Sequence, residues 1–587
     1  MNFVSLLTIN PVLSSIFGLF VLIVNYLFSY VLSYKYKIIY NYKLNFIFFN
    51  IVIYLFISVI LLFLLLLKID LIYIKILFNL LLVVQIFLIF FYYKIFTKEK
   101  FNFFKKYDYL IIIIFTLYCI SPISDADSLD YHLGSVIDIF RSQEFNARTD
   151  EWYHFRLIGL GEMINFYGLL FYSLNFGQIF QVLAISNILI IFSVFNNNYK
   201  LNYLILLSFP LFASLLLSAK HLLVVSNCYL IIFSLILLKD KLLKYSIFGI
   251  LILVLAPLGF KHSYLIYSLP LWVAIFLNYK KELNFLKYTS LSFFVFILIP
   301  FIVFLKNFFH YGDPITPFLE FMKISPNLKV IDFADELRRF IEVFKLYEFP
   351  LIPILHSIPF SLSKITLLTS PIVLVSYLLF FRFKYSKILL SYSAVVFILL
   401  FVSEQSAARY FLDLYFLCII IFLLNINDYK EKIIFKSIII FMLPYAFLTL
   451  SMIFYGIYSL SLPMLDQAKL IKNMNKKSHN YEIINWINSK VSPNDLVLYY
   501  SFVRSKSYQN HNFLFYKSKI STENFEKIIR KNKVTKIVIS KNSGELFESL
   551  KNCKYLEKKK FNLRNTRNPF NKKNMDYIYL IDSRCLL

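Results

Sequence analysis

At 587 residues, 59% of them hydrophobic and 19% aromatic, the chain is too apolar for a soluble globular protein. Its 61 Lys and Arg against 34 Asp and Glu leave a formal net charge of +27. That excess does not indicate nucleic acid, because no basic stripe lies on a soluble fold before the last quarter of the chain; cytoplasmic links of membrane proteins collect Lys and Arg in this way.

Stretches such as Asn45 to Leu67, Asp70 to Tyr92 and Lys287 to Leu305 are long enough to cross about 30 Å of hydrocarbon as helices. In lipid a helix satisfies its own backbone, so the fold class is a polytopic α-helical membrane protein. The first apolar stretch, Leu6 to Ser33, is too long for a signal-peptide core and lacks a small-residue cleavage site, so it is expected to remain as a span. Basic links at Lys35–Lys43, Lys94–Lys106, Lys239–Lys244, Lys280–Lys287, Arg382–Lys387 and Lys430–Lys436 are assigned to the cytoplasm. Lys68–Asp70, Ser121–Arg156, Ser218–His221, Gly259–Ser263, Lys306–Pro350 and Ser403–Arg409 then face outward. The alternation closes with about 14 spans and both termini outside, provided that Leu157–Tyr172 dips into the membrane without crossing it. Glu162, Asn165 and three glycines in that segment suit a re-entrant or juxtamembrane helix.

The run Pro122-Ile123-Ser124-Asp125-Ala126-Asp127-Ser128-Leu129-Asp130-Tyr131-His132-Leu133 follows the apolar stretch Tyr109–Ile120. It sets three carboxylates and a histidine within eight residues at the lip of the bilayer, where charge is costly unless it performs a task. The spacing of Leu129, Leu133, Val136 and Phe140 predicts an amphipathic helix on the membrane surface, with Asp130, Ser135, Asp138 and Arg141 on its polar side. Asp127 falls where the N-cap belongs, and a capping carboxylate loses basicity to the N–H groups it accepts. Asp125 would then keep its lone pairs free. Both are candidates for catalysis. His132 is placed to shuttle a proton or to bind a phosphate oxygen, with Glu151 and Glu162 in reserve.

Further along, the outward ends of other spans carry Lys220, Lys261 with His262, Lys306 and Arg409. Outward cations run against the positive-inside bias, and their recurrence points to an anion at headgroup level, such as a lipid-linked phosphate or pyrophosphate. Asp332–Lys345 reads as a second amphipathic surface helix. From about Asp466 the apolar runs shorten to strand length. Tyr481–Lys490 is expected as a helix, Leu496–Ser501 as a strand, Thr522–Asn532 as a helix capped by Ser521 or Thr522, Val534–Ser540 as a strand and Tyr577–Ile581 as the last strand. Together these form a small C-terminal exoplasmic α/β domain. Cys119, Cys228 and Cys418 lie in spans, whereas Cys553 and Cys585 lie in the outer domain, where a disulfide is allowed. No Cys/His spacing resembles a zinc site. The domain divisions are spans 1–106, a core 107–464 with outer loops 121–156 and 306–350, and the tail 465–587.

Asp127-Ser128-Leu129-Asp130-Tyr131-His132-Leu133 resembles the Asp-x-Leu-x-Tyr-His-Leu signature of the GT-C superfamily of integral-membrane glycosyltransferases, in the bacterial branch related to protein O-mannosyltransferases and aminoarabinose transferases. Lys306-Asn307 followed by Tyr311-Gly312-Asp313-Pro314-Ile315-Thr316-Pro317-Phe318 is similar to that group's Arg/Lys-Asn…Gly-Asn-Pro-x-x-Pro loop, with Asp313 in place of Asn. Gly259-Phe260-Lys261-His262-Ser263 is similar to its Lys-Tyr-Thr span end, with His262 departing from it. The resemblance runs from roughly Asp108 to the C-terminus, and the spans before it form an extension. It implies transfer of a sugar from a polyprenyl-phosphate donor to a glycan, lipid or protein acceptor on the periplasmic face of a bacterial inner membrane. It implies a loop aspartate as general base, Asp127 first and Asp125 as the alternative, with Lys261, Lys306 and Arg409 on the lipid phosphate. His132, Lys220 and His262 complete the expected substrate-binding set. Some relatives use a divalent metal, Mg or Mn, and others none, so no cofactor is certain and no metal ligand is assigned. The rival readings are an O-antigen polymerase or ligase, a lipid-linked glycan flippase or transporter, and a non-catalytic scaffold.

Overall fold

The computed structural model describes residues 10–95, 103–142, 145, 156–239, 242–243, 245–282, 284–315, 351–358, 367–378, 387–403, 407–426, 433–478, 480–500, 508–516, 521–550, 553, 555–563 and 574–586. Glu151, the Asp332–Lys345 helix, most of the 306–350 loop and the Arg382–Lys387 link except Lys387 lie outside the described residues.

The first part of the bundle comprises α1 (Pro11–Lys35), α2 (Tyr42–Leu66), α3 (Leu71–Phe91), α4 (Lys106–Cys119), α5 (Gly134–Ser142), α6 (Leu160–Leu170), α7 (Phe176–Phe195), α8 (Tyr199–Leu207) and α9 (Pro210–Leu216). It continues with α10 (Leu222–Leu238), α11 (Ser246–Phe260), α12 (Leu265–Tyr279), α13 (Phe285–Leu298), α14 (Phe301–Tyr311), α15 (Ile352–Ser357), α16 (Pro371–Leu378), α17 (Lys387–Val402), α18 (Leu412–Asn425) and α19 (Ile433–Gly456). The first three spans begin at polar caps: the side chains of Asn10, Asn41 and Asp70 accept from the N–H groups of Val12, Lys43 and Ile72. Two prolines set the sharpest bends. Pro210 separates α8 from α9 at 73°, and Pro300 separates α13 from α14 at 51°, because proline cannot donate to the preceding turn.

Among the described residues, five helices are long and apolar enough to cross a membrane, or up to seven if each bent pair is one span. α10, α11, α17 and α18 are apolar but shorter. α7 is buried within the bundle, whereas α3 exposes Ile72, Val83, Phe87 and Phe90 as a lipid-facing helix would. This is a multi-pass α-helical membrane protein; the remaining expected spans fall on shorter helices or outside the described residues.

One end of the bundle gathers the loop that follows α4. Asn175, leading into α7, donates to Ser15 at the start of α1 (2.9 Å) and to the carbonyl of Ile120 after α4 (2.8 Å). At the same end the loop takes the N–H of Ala219, which precedes α10. α6 starts there against α11 and reaches inward, where the Tyr167 hydroxyl accepts from Asn25 (3.2 Å). The chain then returns to that end at Asn175, so 157–172 enters and leaves on one side.

The tail begins with α20 (Gln467–Lys477) and α21 (Tyr481–Asn488). It continues through β1 (Leu496–Tyr500), β2 (Asn512–Tyr516), α22 (Thr522–Asn532), β3 (Lys536–Ser540), α23 (Glu545–Ser549), β4 (Tyr555–Asn562) and β5 (Met575–Asp582). The strand order is β2-β1-β3-β5-β4, with β1 parallel to both β2 and β3 and β5 antiparallel to its neighbours. Alternation divides the sheet's two faces. Val497, Tyr499 and Val538 pack with Ile483, Ile484 and Ile487 of α21, while Leu498, Ile537 and Ile539 pack with Phe525 and Ile529 of α22. Ser521 caps α22 through its hydroxyl. Cys553 and Cys585 form a disulfide. The sheet docks on the same end of the bundle: the Tyr508 hydroxyl donates to the Ile123 carbonyl (2.7 Å) and Arg141 to the Gln509 carbonyl (2.9 Å).

Two expectations for the motif loop change. The predicted surface helix is a π-turn, Ser128–His132, followed by α5. Ser135, placed on its polar side, is buried along with Leu129, Leu133, Val136 and Phe140, so this segment packs into protein and does not lie on lipid. Asp127 makes no capping bond. Asp125 does: it accepts from the Ser128 N–H (3.0 Å) and from the Ser128 hydroxyl (2.7 Å). The wide turn moves the cap back by two residues and leaves the Asp127 carboxylate turned toward the cations.

Candidate active site

Four connections converge at this end: the motif loop, the turn before α10, the end of α11 and the 3-10 turn Ala408–Tyr410 before α18. The Ser128 hydroxyl, besides donating to Asp125, accepts from the Ala219 N–H (2.8 Å), which locks the loop to the turn carrying Lys220. Gln181 of α7 donates to the Lys220 carbonyl and steadies that turn from below.

The Lys220 ammonium then stands 2.8 Å from Asp127 and 3.6 Å from Asp125. Arg409 reaches the same Asp127 oxygen at 3.7 Å. Asp127 and Arg409 keep a third of their side-chain surface exposed, and Lys220 12%. The Lys220 ammonium, with Arg409 adding to it, holds the Asp127 carboxyl well below the ordinary carboxylate range in spite of burial. Burial acts to lower the Lys220 ammonium, but Asp125 and Asp127 outweigh it and raise it. Tyr410 completes the cluster. Burial raises its phenol, but Lys261, Arg409 and Lys220 outweigh that and bring it down to about 8.

A second pair adjoins the first. His132 Nδ1 is 2.7 Å from Glu162 Oε1, and Glu162 Oε2 accepts the Gly159 N–H at 2.8 Å. Asn165 of α6 donates to the His132 carbonyl (3.0 Å), so α6 holds both the ring and the backbone. This fit requires glycine at 159: a Cβ there would lie 2.5 Å from the Gly259 carbonyl oxygen and 2.7 Å from that of Phe260.

The other predicted residues take different positions. Lys306 is fully buried in α14 and donates to the carbonyls of Arg156 (3.1 Å) and Ile158 (2.5 Å), bracing the chain that enters α6. Burial, with Lys306 and Lys261 beside it, pushes His262 down to about 4. The neutral ring takes a hydrogen bond from the Asn307 amide (2.9 Å). The structure thus brings Asp125, Asp127, His132, Lys220 and Arg409 together, sets Lys261 beside Tyr410, and turns Lys306 to the backbone and His262 to Asn307. Sequence reasoning missed Tyr410, although it directly follows Arg409. It also missed Asp413, buried one helical turn beyond and accepting from Ser226 (2.5 Å).

The two loop carboxylates do not fit a divalent metal. Lys220's ammonium occupies the place between them that a bridging cation would need, and among the described residues no three His, Cys, Asp or Glu side chains gather into a metal set. No step is derived through a metal.

Fold and site define a multi-pass membrane protein with a buried, charge-paired centre at one end of its bundle and a small α/β domain docked beside it. The chain belongs to the family of the DUF1420 N-terminal domain, whose model matches residues 83–474, from within α3 to within α20. That range includes every site residue named above. No curated protein matches the sequence. Among solved structures, the chain is similar to ArnT from Cupriavidus metallidurans, in a crystal structure bound to undecaprenyl phosphate, at 11% identity and a TM-score of 0.45. The match covers 80% of this chain and 96% of that one.

Proposed function

We propose that this protein transfers a sugar from a polyprenyl-phosphate donor to a hydroxyl acceptor at the outer face of a bacterial inner membrane. The observation that carries the reading is the convergence of Lys220 and Arg409 on one loop carboxylate, with Lys261 and Tyr410 adjoining, at one end of the helix bundle. Two cations held around one anion form a site where an incoming phosphate can replace the carboxylate as their partner. Held there, the phosphate leaves with its charge compensated as the sugar carbon gains oxocarbenium character.

A group of the motif loop takes the acceptor's proton in this reaction. The resemblance gives that role to Asp127, and the ion pairs attach a condition to it: the carboxylate gains basicity only after a phosphate has drawn Lys220 and Arg409 away. The Cys553–Cys585 disulfide supports an outward tail, since disulfides persist in oxidising compartments. The tail's docking on the motif loop supports a site that faces the same side as the tail.

Mass spectrometry of envelope glycans and lipids from cells making the wild type, Asp127→Ala or Asp125→Ala tests the reading, once equal folding and membrane insertion are shown. A sugar-sized mass on an acceptor, present with the wild type and lost with Asp127→Ala, is the expected result. No such mass with the wild type, in cells that contain the donor, would sink it.

A further inference from the structure

The cations that make the centre fit for a phosphate make Asp127 a poor base, and an unused group stands beside it. We infer that His132, oriented by Glu162, is the group that accepts the acceptor's proton, while Asp127 remains an anion that sets the positions of Lys220 and Arg409. This rests on the transferase reading and deepens it.

The geometry is that of a base with its orienting partner. His132 Nδ1 lies 2.7 Å from Glu162 Oε1, and the second Glu162 oxygen is fixed by the Gly159 N–H, so the carboxylate cannot turn away. With Nδ1–H donated to Glu162, the ring's lone pair is on Nε2. Nε2 has no hydrogen bond among the described residues, and the His132 side chain keeps 13% of its surface exposed while Glu162 keeps 6%. The supporting carboxylate is thus more enclosed than the ring it holds. Tyr131 packs its ring at 3.9 Å between centroids and Asn165 holds the His132 carbonyl, which limits the ring to this pose.

The charged and titratable groups facing His132 are Glu162 on α6, Lys220 and His221 on the turn before α10, and Asp127 and Tyr131 on its own loop. Burial pushes the imidazole down and Glu162 restores part of that, so the balance favours the uncharged ring, the form that can take a proton. Asp127 faces two cations and holds its proton far more weakly.

In the step, the acceptor's O–H proton passes to Nε2 as its oxygen forms a bond to the anomeric carbon. The bond from that carbon to the phosphate oxygen breaks, and its electron pair leaves with the polyprenyl phosphate. His132 ends as imidazolium paired with Glu162, and releases the proton to water before the next turnover. No oxidant or metal is needed.

The test uses the full chain in proteoliposomes, with envelope lipid extract as the source of donor and acceptor. Undecaprenyl phosphate is the binding probe, and transfer is followed from acidic to neutral pH. His132→Gln should bind the probe as the wild type does yet lose transfer at least 100-fold. Wild-type transfer should fall on an acid limb at or below the ordinary imidazole value of about 6.5. Glu162→Gln removes the partner that raises the imidazole, so its acid limb should move to lower pH and its rate should drop. Glu162→Asp should restore part of both. These shifts would not follow from a merely structural role. Wild-type-like transfer by His132→Gln, or an acid limb in the carboxylate range that Glu162→Gln leaves in place, would overturn the inference and leave the transferase reading standing. Probe binding without transfer by the wild type would overturn both.

Discussion

The tail domain and the bundle end on which it docks use the same charged side chains in opposite ways. In the tail, Lys527 pairs with Glu523 one helical turn away, with most of both side chains in water. Lys490 pairs with Glu557 while each keeps about two-fifths of its surface exposed. The tail is held by apolar clusters on either face of its sheet, and its ion pairs add little, because water already solvates both partners. At the bundle end, Lys220 and Glu162 are largely withdrawn from water and Lys306 wholly. Placing charge there costs on the order of several kcal/mol per ion unless every partner is in place. That such a cost is met by charges gathered at one end of the bundle is what separates a site from a surface.

Breaking the centre should therefore have the largest effect. Lys220→Gln leaves Asp125 and Asp127 without their shared cation. Lys220 is nearly enclosed while both carboxylates keep about a third of their surface in water, so the loss should fall below the about 3–5 kcal/mol of a fully buried pair, and the leaving phosphate loses its nearest donor, on the order of 100-fold in transfer. Thermal unfolding of the detergent-solubilised protein and transfer in proteoliposomes measure the two. A variant as stable and as active as the wild type would make the centre a surface cluster like those of the tail.

Next comes the tail's own covalent tie. Cys553 and Cys585 close a loop with a sequence separation of 32. Cys553→Ser should lower the domain's stability by about 2–4 kcal/mol, while the bundle keeps its melting behaviour. A mobility shift on non-reducing gels, present in the wild type and absent in the variant, checks the bond itself. Gly159→Ala comes third. Its Cβ would meet two backbone carbonyls of α11, which cannot swing aside as a side chain could. Overpacking of this kind costs about 1–3 kcal/mol, and it should shift Glu162 from His132, so transfer should fall more than melting temperature does. Equal losses in both would make Gly159 a packing residue only.

How much of this was readable from the chain follows from the range of each interaction. The cations at Lys220, Lys261 and Arg409 stood out because a local rule, the positive-inside bias, marks them as unexpected on links assigned to the outer side. The helix Thr522–Asn532 and the strand Lys536–Ser540 are also local, and they lie where periodicity and turn residues put them. The capping carboxylate was misread because the decisive contact is not local: Ala219, 91 residues on, holds the Ser128 hydroxyl and favours the wide turn that makes Asp125 the cap. Glu162 was noticed as an acid in an apolar segment, yet nothing in its surroundings names His132, 30 residues earlier. β4 was hidden by Lys558, Lys559 and Lys560, which an exposed edge strand tolerates and a buried strand would not.

The smallest effect sharpens the comparison most. Lys527→Ala removes a cation whose contact with Glu523 is short, 2.6 Å, and so by distance alone is the equal of Lys220 with Asp127 at 2.8 Å. If distance measured worth, the two substitutions would cost the same. They differ in surroundings. Lys527 and Glu523 are two-thirds or more in water, so each keeps its solvation when the other is lost. Lys220 is nearly enclosed, and its removal leaves Asp125 and Asp127, each about a third exposed, without the cation between them. Lys527→Ala should leave the unfolding of the tail unchanged within error, at low salt and at high salt alike. A clear, salt-dependent loss of tail stability would show that proximity rather than enclosure sets the value of an ion pair in this protein, and burial would no longer distinguish the bundle end from the tail.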